Sequence, residues 1–236
     1  MTTTNTPRAL QILSVVTAAL MLIALGLVFL YAPQERTMGE VQRIFYFHVP
    51  SAWVGGLAFF VTLVAGIAFL RTGDTKWDRI GYSSVEIGVT FATMTLFSGM
   101  LWGRPAWNTW WTWDPRLTTF TILLLIYFAY LMLRQGIEDP GRRARFASVY
   151  GIVGFISVPI TYFSIQLARS IHPVLFGSAN PEAQGEGDPL TAPMLQTFFF
   201  SLFTFTVLYF TLLWHRLRLA DFAERIEQLK AKVMSA

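Results

Sequence analysis

Six apolar runs, each long enough to cross a lipid bilayer, leave this chain few ways to fold. Residues 10–31 form the first and are almost uninterrupted. At about 1.5 Å per residue such a run clears roughly 30 Å of hydrocarbon. Five more follow, at about 49–70, 80–101, 117–134, 146–168 and 190–215. In lipid every backbone N–H and C=O must find a partner within the protein, and a helix supplies one for each. The predicted fold class is an all-α integral membrane protein with six transmembrane helices. The first run is too long for a signal-peptide core, and no small-x-small cleavage pattern follows it. Composition agrees: 14% of residues are charged, against about 25% in soluble domains.

Counting spans puts the N-terminus, residues 71–79, residues 134–145 and the C-terminal tail on one side. That side carries Arg8, Arg71, Lys76, Arg79, Arg134, Arg142, Arg143, Arg145, Arg216, Arg218, Arg225, Lys230 and Lys232. The opposite loops hold Arg36, Arg43, Arg104, Arg116 and Arg169. The positive-inside rule then predicts both termini in the cytoplasm. The basic residues form no aromatic-interleaved patch, so the net charge of +4 gives no support to nucleic-acid binding. The sequence divides into a membrane domain, 1–215, and a tail, 216–236. In the tail Leu219, Phe222, Ala223, Ile226, Leu229 and Val233 recur at helical spacing between Arg, Glu and Lys. That pattern predicts an amphipathic helix, either a solvated anchor of the last span or a surface against membrane or partner. Pro159 predicts a kink in the fifth span. Glu86, inside the third, is costly in lipid and so a functional candidate; its structural reading, the preferred one, is a hydrogen bond to Ser or Thr or a reach towards the headgroups.

Residues 101–118, LWGRPAWNTWWTWDPRLT, connect the third and fourth spans and hold Trp102, Trp107, Trp110, Trp111 and Trp113, five of the chain's eight tryptophans. One or two would be ordinary membrane-interface anchors. Five make a broad aromatic surface with N–H donors at its rim, suited to an interface, a partner or a large planar ligand. If Pro105 opens a short interfacial helix, Trp107, Trp110, Trp111 and Asp114 share one face of it. His48, placed just before a helix expected to begin at Pro50, and His172, just before Pro173, flank this connection on its side of the membrane. The third histidine, His215, lies at the other side and is given no role. Cysteine is absent, which excludes thiol catalysis, thiolate metal sites and covalent haem attachment through Cys-x-x-Cys-His on this chain. Neutral imidazole is the commonest metal ligand, and a haem iron has two axial positions. His48 and His172 therefore read either as a haem clamp or as two structural helix-end histidines. Arg104, Arg116 and Arg169 are candidates to pair with propionates, and Arg116 has a second candidate partner in Asp114.

Trp102-Gly103, Trp107, Trp110-Trp111, Trp113-Asp114 and Arg116-Leu117-Thr118 resemble the signature of the CcmC family, haem-handling membrane proteins of cytochrome c maturation. His48-Val-Pro-Ser-Ala-Trp53 and His172 are similar to that family's two external histidines, and the likeness runs along nearly the whole chain. Asn108 stands where glycine is expected and Pro115 where alanine is usual. Residues 166–169, Gln-Leu-Ala-Arg, replace expected aromatics. The resemblance implies that haem b, as transient cargo, sits at the outer face of the inner membrane. His48 and His172 would be its iron ligands, and Trp102, Trp107, Trp110, Trp111, Trp113, Asp114, Arg104 and Arg116 would surround it. It implies delivery to a membrane-anchored periplasmic haem chaperone, with an ABC-type ATPase complex and a small single-span subunit as partners. A transporter rather than an enzyme is expected.

Three rivals stand beside this reading. A haem-attachment synthase would normally bring more spans and a large external domain. A dihaem electron carrier usually needs four histidines within the spans. A structural subunit docking a partner through its tryptophans would bind no pigment.

Overall fold

The computed structural model describes residues 6–173 and 190–234, which are almost entirely helical. The helices are α1 (Arg8–Gly26), α2 (Phe45–Thr72), α3 (Thr75–Trp107), α4 (Pro115–Gln135), α5 (Pro140–Gly154), α6 (Ser157–Leu167) and α7 (Ala192–Met234). Six stretches are long and apolar enough to span a membrane, α5 and α6 together making one of them. Among the described residues there is no strand, only an isolated bridge between Glu35 and Gly39.

Small residues bring the central helices together, as expected where lipid offers no hydrophobic drive between them. Gly55 of α2 lies against Ala92 of α3. At Gly88 an added Cβ would come within 2.7 Å of the Phe59 ring. Gly66 lets the α5 backbone at Ser148 approach α2, and Gly151 receives Thr62. Phe59 then stacks on Tyr127 of α4 at 3.5 Å between centroids, at the middle of a cluster with Val85, Val89, Leu123 and Leu124. The outward faces are apolar as well: Leu22, Phe97, Leu125, Met132 and Phe203 are all exposed, the pattern of a surface that meets lipid tails.

The connections follow local chemistry. Gly73, with φ 69°, ends α2, and Asp74 caps α3 by accepting from the Lys76 N–H at 2.9 Å. Asp114 and Asp139 cap α4 and α5, each with Pro at the first helical position, where a missing N–H costs nothing. The fifth span breaks at Phe155–Ile156, between α5 and α6. The Pro159 ring cannot share space with the Phe155 carbonyl four residues back, so the expected kink is present.

Two local expectations are corrected. Pro50 does not begin the second span: α2 starts at Phe45, after a 3₁₀ turn at Glu40–Ile44, and Pro50 lies inside it. Tyr46 is fully buried beside Val28, Met194 and Phe198, and Phe45 and Phe47 pack on the same cluster. That packing holds the extra turn in place despite the lost hydrogen bond. The tail at 216 is not a separate element either. α7 runs through it as one 43-residue helix, with no Gly or Pro after Pro193 to interrupt it.

At the end of the bundle away from His48 and His172, charges close on each other. Arg134 grips Asp78 with both nitrogens, at 2.5 and 2.9 Å, and lies over the Tyr82 ring at 4.5 Å. Arg79 reaches Asp221 and Glu224 of α7, both at 2.8 Å. Glu86 pairs with Arg216 at 2.7 Å. Its partner is thus an arginine of the last helix, not a neighbouring Ser or Thr. His215 hydrogen-bonds Ser14 at 2.8 Å.

Candidate functional site

The opposite end is built around Asp114. As N-cap of α4 its Oδ1 accepts from the Arg116 N–H at 2.8 Å, which explains a carboxylate at this position. The same oxygen accepts from Ser170 Oγ at 2.9 Å, and Oδ2 accepts from the Ile171 N–H at 2.8 Å. One side chain, 8% exposed, therefore ties the tryptophan connection to the segment that carries His172. Ser170 adds a second tie, since its Oγ accepts from the His172 N–H at 3.1 Å.

Each histidine is held through Nδ1. His172 Nδ1 lies 2.9 Å from the Pro173 carbonyl. A carbonyl only accepts, so Nδ1 carries the proton and Nε2 keeps its lone pair. His48 Nδ1 lies 2.9 Å from Ser98 Oγ. Ser98 has one hydroxyl proton and donates it to the Met94 carbonyl at 2.8 Å. Its oxygen must then accept from His48 Nδ1–H, again leaving Nε2 with the lone pair. Metal-binding histidines are typically set this way, with the far nitrogen donating to an outer partner. Gly99 makes the fit possible: an added Cβ there would stand 3.0 Å from His48 Cε1.

The two imidazoles come from different elements yet share one site, near enough for the charge of His172 to bear on His48, with Arg116 acting on both. Burial first, and then the Arg116 guanidinium, holds His172 down to about 4. It is neutral at physiological pH and ready to donate a lone pair. Two neutral imidazoles suit a metal that brings its own equatorial ligands, as an iron porphyrin does. The donor set therefore fits haem.

The tryptophans do not share a helical face. α3 continues through Pro105 to Trp107 and stops at Asn108, whose φ of 55° is left-handed. Residues 108–114 then run as bend and coil, so the short interfacial helix expected from Pro105 does not form. Asn tolerates the left-handed C-cap better than most residues do, which accounts for Asn where glycine was expected. Two edge-to-face pairs replace the single face. Trp102 meets Trp107 at 5.0 Å and Trp111 meets Trp113 at 5.8 Å. Gly103 lies under Trp107, where a Cβ would be 3.2 Å from the indole. Trp110 and Trp113 remain 54% and 79% exposed, presenting aromatic surface outward.

The arginines divide their tasks. Arg104 donates to the carbonyl and the side chain of its neighbour Asn108, closing the end of α3. Arg116 donates to the Thr161 and Tyr162 carbonyls, both at 2.8 Å, and lies over the Tyr162 ring. Its guanidinium pins α4 to α6, and it is the backbone of Arg116, not its side chain, that Asp114 binds. Arg169 is exposed on the segment before His172. Ser98, Gly99 and Ser170 escaped the sequence reading. Ser170 carried a signal in its position two residues before His172, but the pairing of Ser98 with His48 crosses fifty residues and left none.

A family model described as "Heme exporter protein C" matches residues 2–232. The Heme exporter protein C of Bradyrhizobium diazoefficiens is 36% identical over 156 residues, which are 66% of this chain and 59% of that protein. That of Escherichia coli strain K12 is 30% identical over 190 residues, 80% and 74% of the two chains. A putative cytochrome c biosynthesis ccmC-like mitochondrial protein of Marchantia polymorpha is 34% identical over 141 residues, 60% and 59%. The chain thus spans under two thirds of the length of the first and last of these relatives. With the family model covering nearly its whole length, this chain belongs to the CcmC (heme exporter protein C) family.

Proposed function

We propose that this chain binds haem b as transient cargo at the outer face of the cytoplasmic membrane and hands it to a membrane-anchored periplasmic haem chaperone for c-type cytochrome biogenesis. The observation that carries this reading is the pair of imidazoles, His48 and His172, each tethered through Nδ1 with Nε2 left to donate. The names of the relatives point the same way. The excess of Lys and Arg on the termini side supports a periplasmic histidine end, where a chaperone can reach it.

The residues divide the task as follows. Iron bound to the two Nε2 atoms would be held and oriented. Ser98 and the Pro173 carbonyl fix the tautomers, and Asp114 with Ser170 sets the height of the His172 segment. Trp110 and Trp113 offer exposed π surface to the porphyrin, and Trp102, Trp107 and Trp111 back it. An exposed aromatic surface favours hand-over, since cargo in a closed pocket would have to be extracted. Arg104 and Arg169 are the cations nearest solvent for the propionates. An ABC-type ATPase complex and a small single-span subunit are the partners this reading expects.

Co-expression of the chain with a periplasmic haem chaperone tests delivery. Haem-stained chaperone should accumulate with the parent and with His215→Ala, and fall to background with His48→Ala or His172→Ala. Equal staining with all four would overturn the proposal.

A further inference from the structure

Beyond the sixth span, α7 carries a seam with the period of a coiled coil. Leu219, Phe222, Ile226, Leu229 and Val233 are spaced by three, four, three and four residues, the a and d positions of a heptad repeat. Leu219 is 59% exposed, Ile226 51%, Leu229 62% and Val233 77%, so among the described residues these four positions lie open, while Phe222 between them is half-buried. The helix is fastened elsewhere, through Asp221 and Glu224 to Arg79, and these acids lie on its other side. As a continuous helix it carries the seam about 25 Å past Arg216, at 1.5 Å per residue.

The charges beside the seam decide what fits it. The flanking e and g positions hold Arg218, Ala223, Arg225, Lys230 and Lys232, while Asp221, Glu224 and Glu227 all fall at b, c and f. Lys230 meets Glu227 of its own helix at 2.7 Å in a solvent-exposed pair, which a partner's acid can replace at little cost. Arg218 and Arg225 lie over the Phe222 ring, which keeps their charge along the seam's edge. In a parallel pair of two copies Arg225 would face the other copy's Lys230. An antiparallel pair also sets basic residue against basic residue. Like charges at these positions oppose pairing.

We propose that residues 218–233 form a docking helix for an amphipathic helix of a second protein, on the side opposite the histidines, whose own e and g positions are acidic. The apolar seam supplies the contact area, and the basic borders exclude self-pairing and select an acidic partner.

The chain has no cysteine, so single cysteines report cleanly. Leu219→Cys, Ile226→Cys and Leu229→Cys mark the seam; Ala220→Cys, Glu227→Cys and Ala231→Cys mark the outer face. Maleimide labelling rates are compared in leaky native membranes and in the purified full chain in nanodiscs of phosphatidylcholine, with or without phosphatidylglycerol. The expected result is labelling several-fold slower at the seam than at the outer face in native membranes. That protection should vanish in both nanodiscs and in native membranes carrying Arg225→Glu with Lys230→Glu. Equal rates at both faces in native membranes would overturn the proposal, as would protection that survives the charge reversal. Protection of the purified chain only with phosphatidylglycerol would assign the seam to the lipid surface. Protection growing with chain density would assign it to a second copy. Either result replaces the acidic partner.

Discussion

The two ends of the bundle use the same kinds of residue to opposite effect. At the termini end Arg134 meets Asp78, Arg216 meets Glu86 and Arg79 meets Asp221 and Glu224. Polar groups there saturate one another and lock α3 to α4 and α7. At the histidine end Asp114, Ser98 and Ser170 are also engaged, but what they hold are two imidazoles bound through Nδ1, whose Nε2 atoms meet no hydrogen-bond partner among the described residues. The difference lies in the last member of each network. One network ends in a charge that finds its opposite, the other in two imidazoles that we propose take an iron.

If that contrast is right, the ends separate under mutation. The largest effect on stability belongs to Arg134→Met, which leaves Asp78 without its partner in a pair that is 9% and 16% exposed. A loss of about 3–5 kcal/mol is expected, with most of it recovered in the double variant Arg134→Met/Asp78→Leu. Thermal unfolding in detergent measures this, and the haem spectrum of the folded fraction should not change. A spectral change as large as the stability loss would show that the ends are coupled.

Asp114→Ala works the other way. It removes the two hydrogen bonds that position the His172 segment, together with the cap of α4, and outer partners of ligating histidines typically account for 10–100-fold in affinity. Haem titration should weaken by that order, with faster proteolysis at residues 168–173. Unchanged affinity would mean that His172 holds its place without the clamp.

The sequence made one end more legible than the other. Six apolar runs leave six helices little latitude, and two histidines beside a tryptophan-rich connection stand out in a chain with three. The partners of Glu86 and His48 did not stand out, because each pairing joins residues far apart in sequence and depends on which helices become neighbours. The helix expected at Pro105 failed for a local reason. Proline favours the first turn of a helix, yet Pro105 lies in the last turn of α3, and only the left-handed Asn108 shows where α3 stops.

Acid sharpens the comparison. Protonation removes the lone pair, and burial keeps His172 from taking its proton until about 4. Haem binding should hold level from pH 8 to about 5 and fall below that, measured by Soret absorbance. An ordinary imidazole would give a midpoint near 6.5, which would mean that the site is wet. The smallest effect is at Asn108→Gly, where relief of the left-handed φ is set against loss of the Arg104 bond to the Asn108 side chain; stability should change by under about 0.5 kcal/mol, with affinity unchanged.

The central claim rests on which nitrogen atoms hold iron. The visible spectrum of the purified chain from haem-replete cells tests it, beside His48→Ala, His172→Ala and His215→Ala. A Soret band in the parent and in His215→Ala that shifts or disappears in each of the other two is the predicted result. A band that persists unshifted in both His48→Ala and His172→Ala would contradict the account.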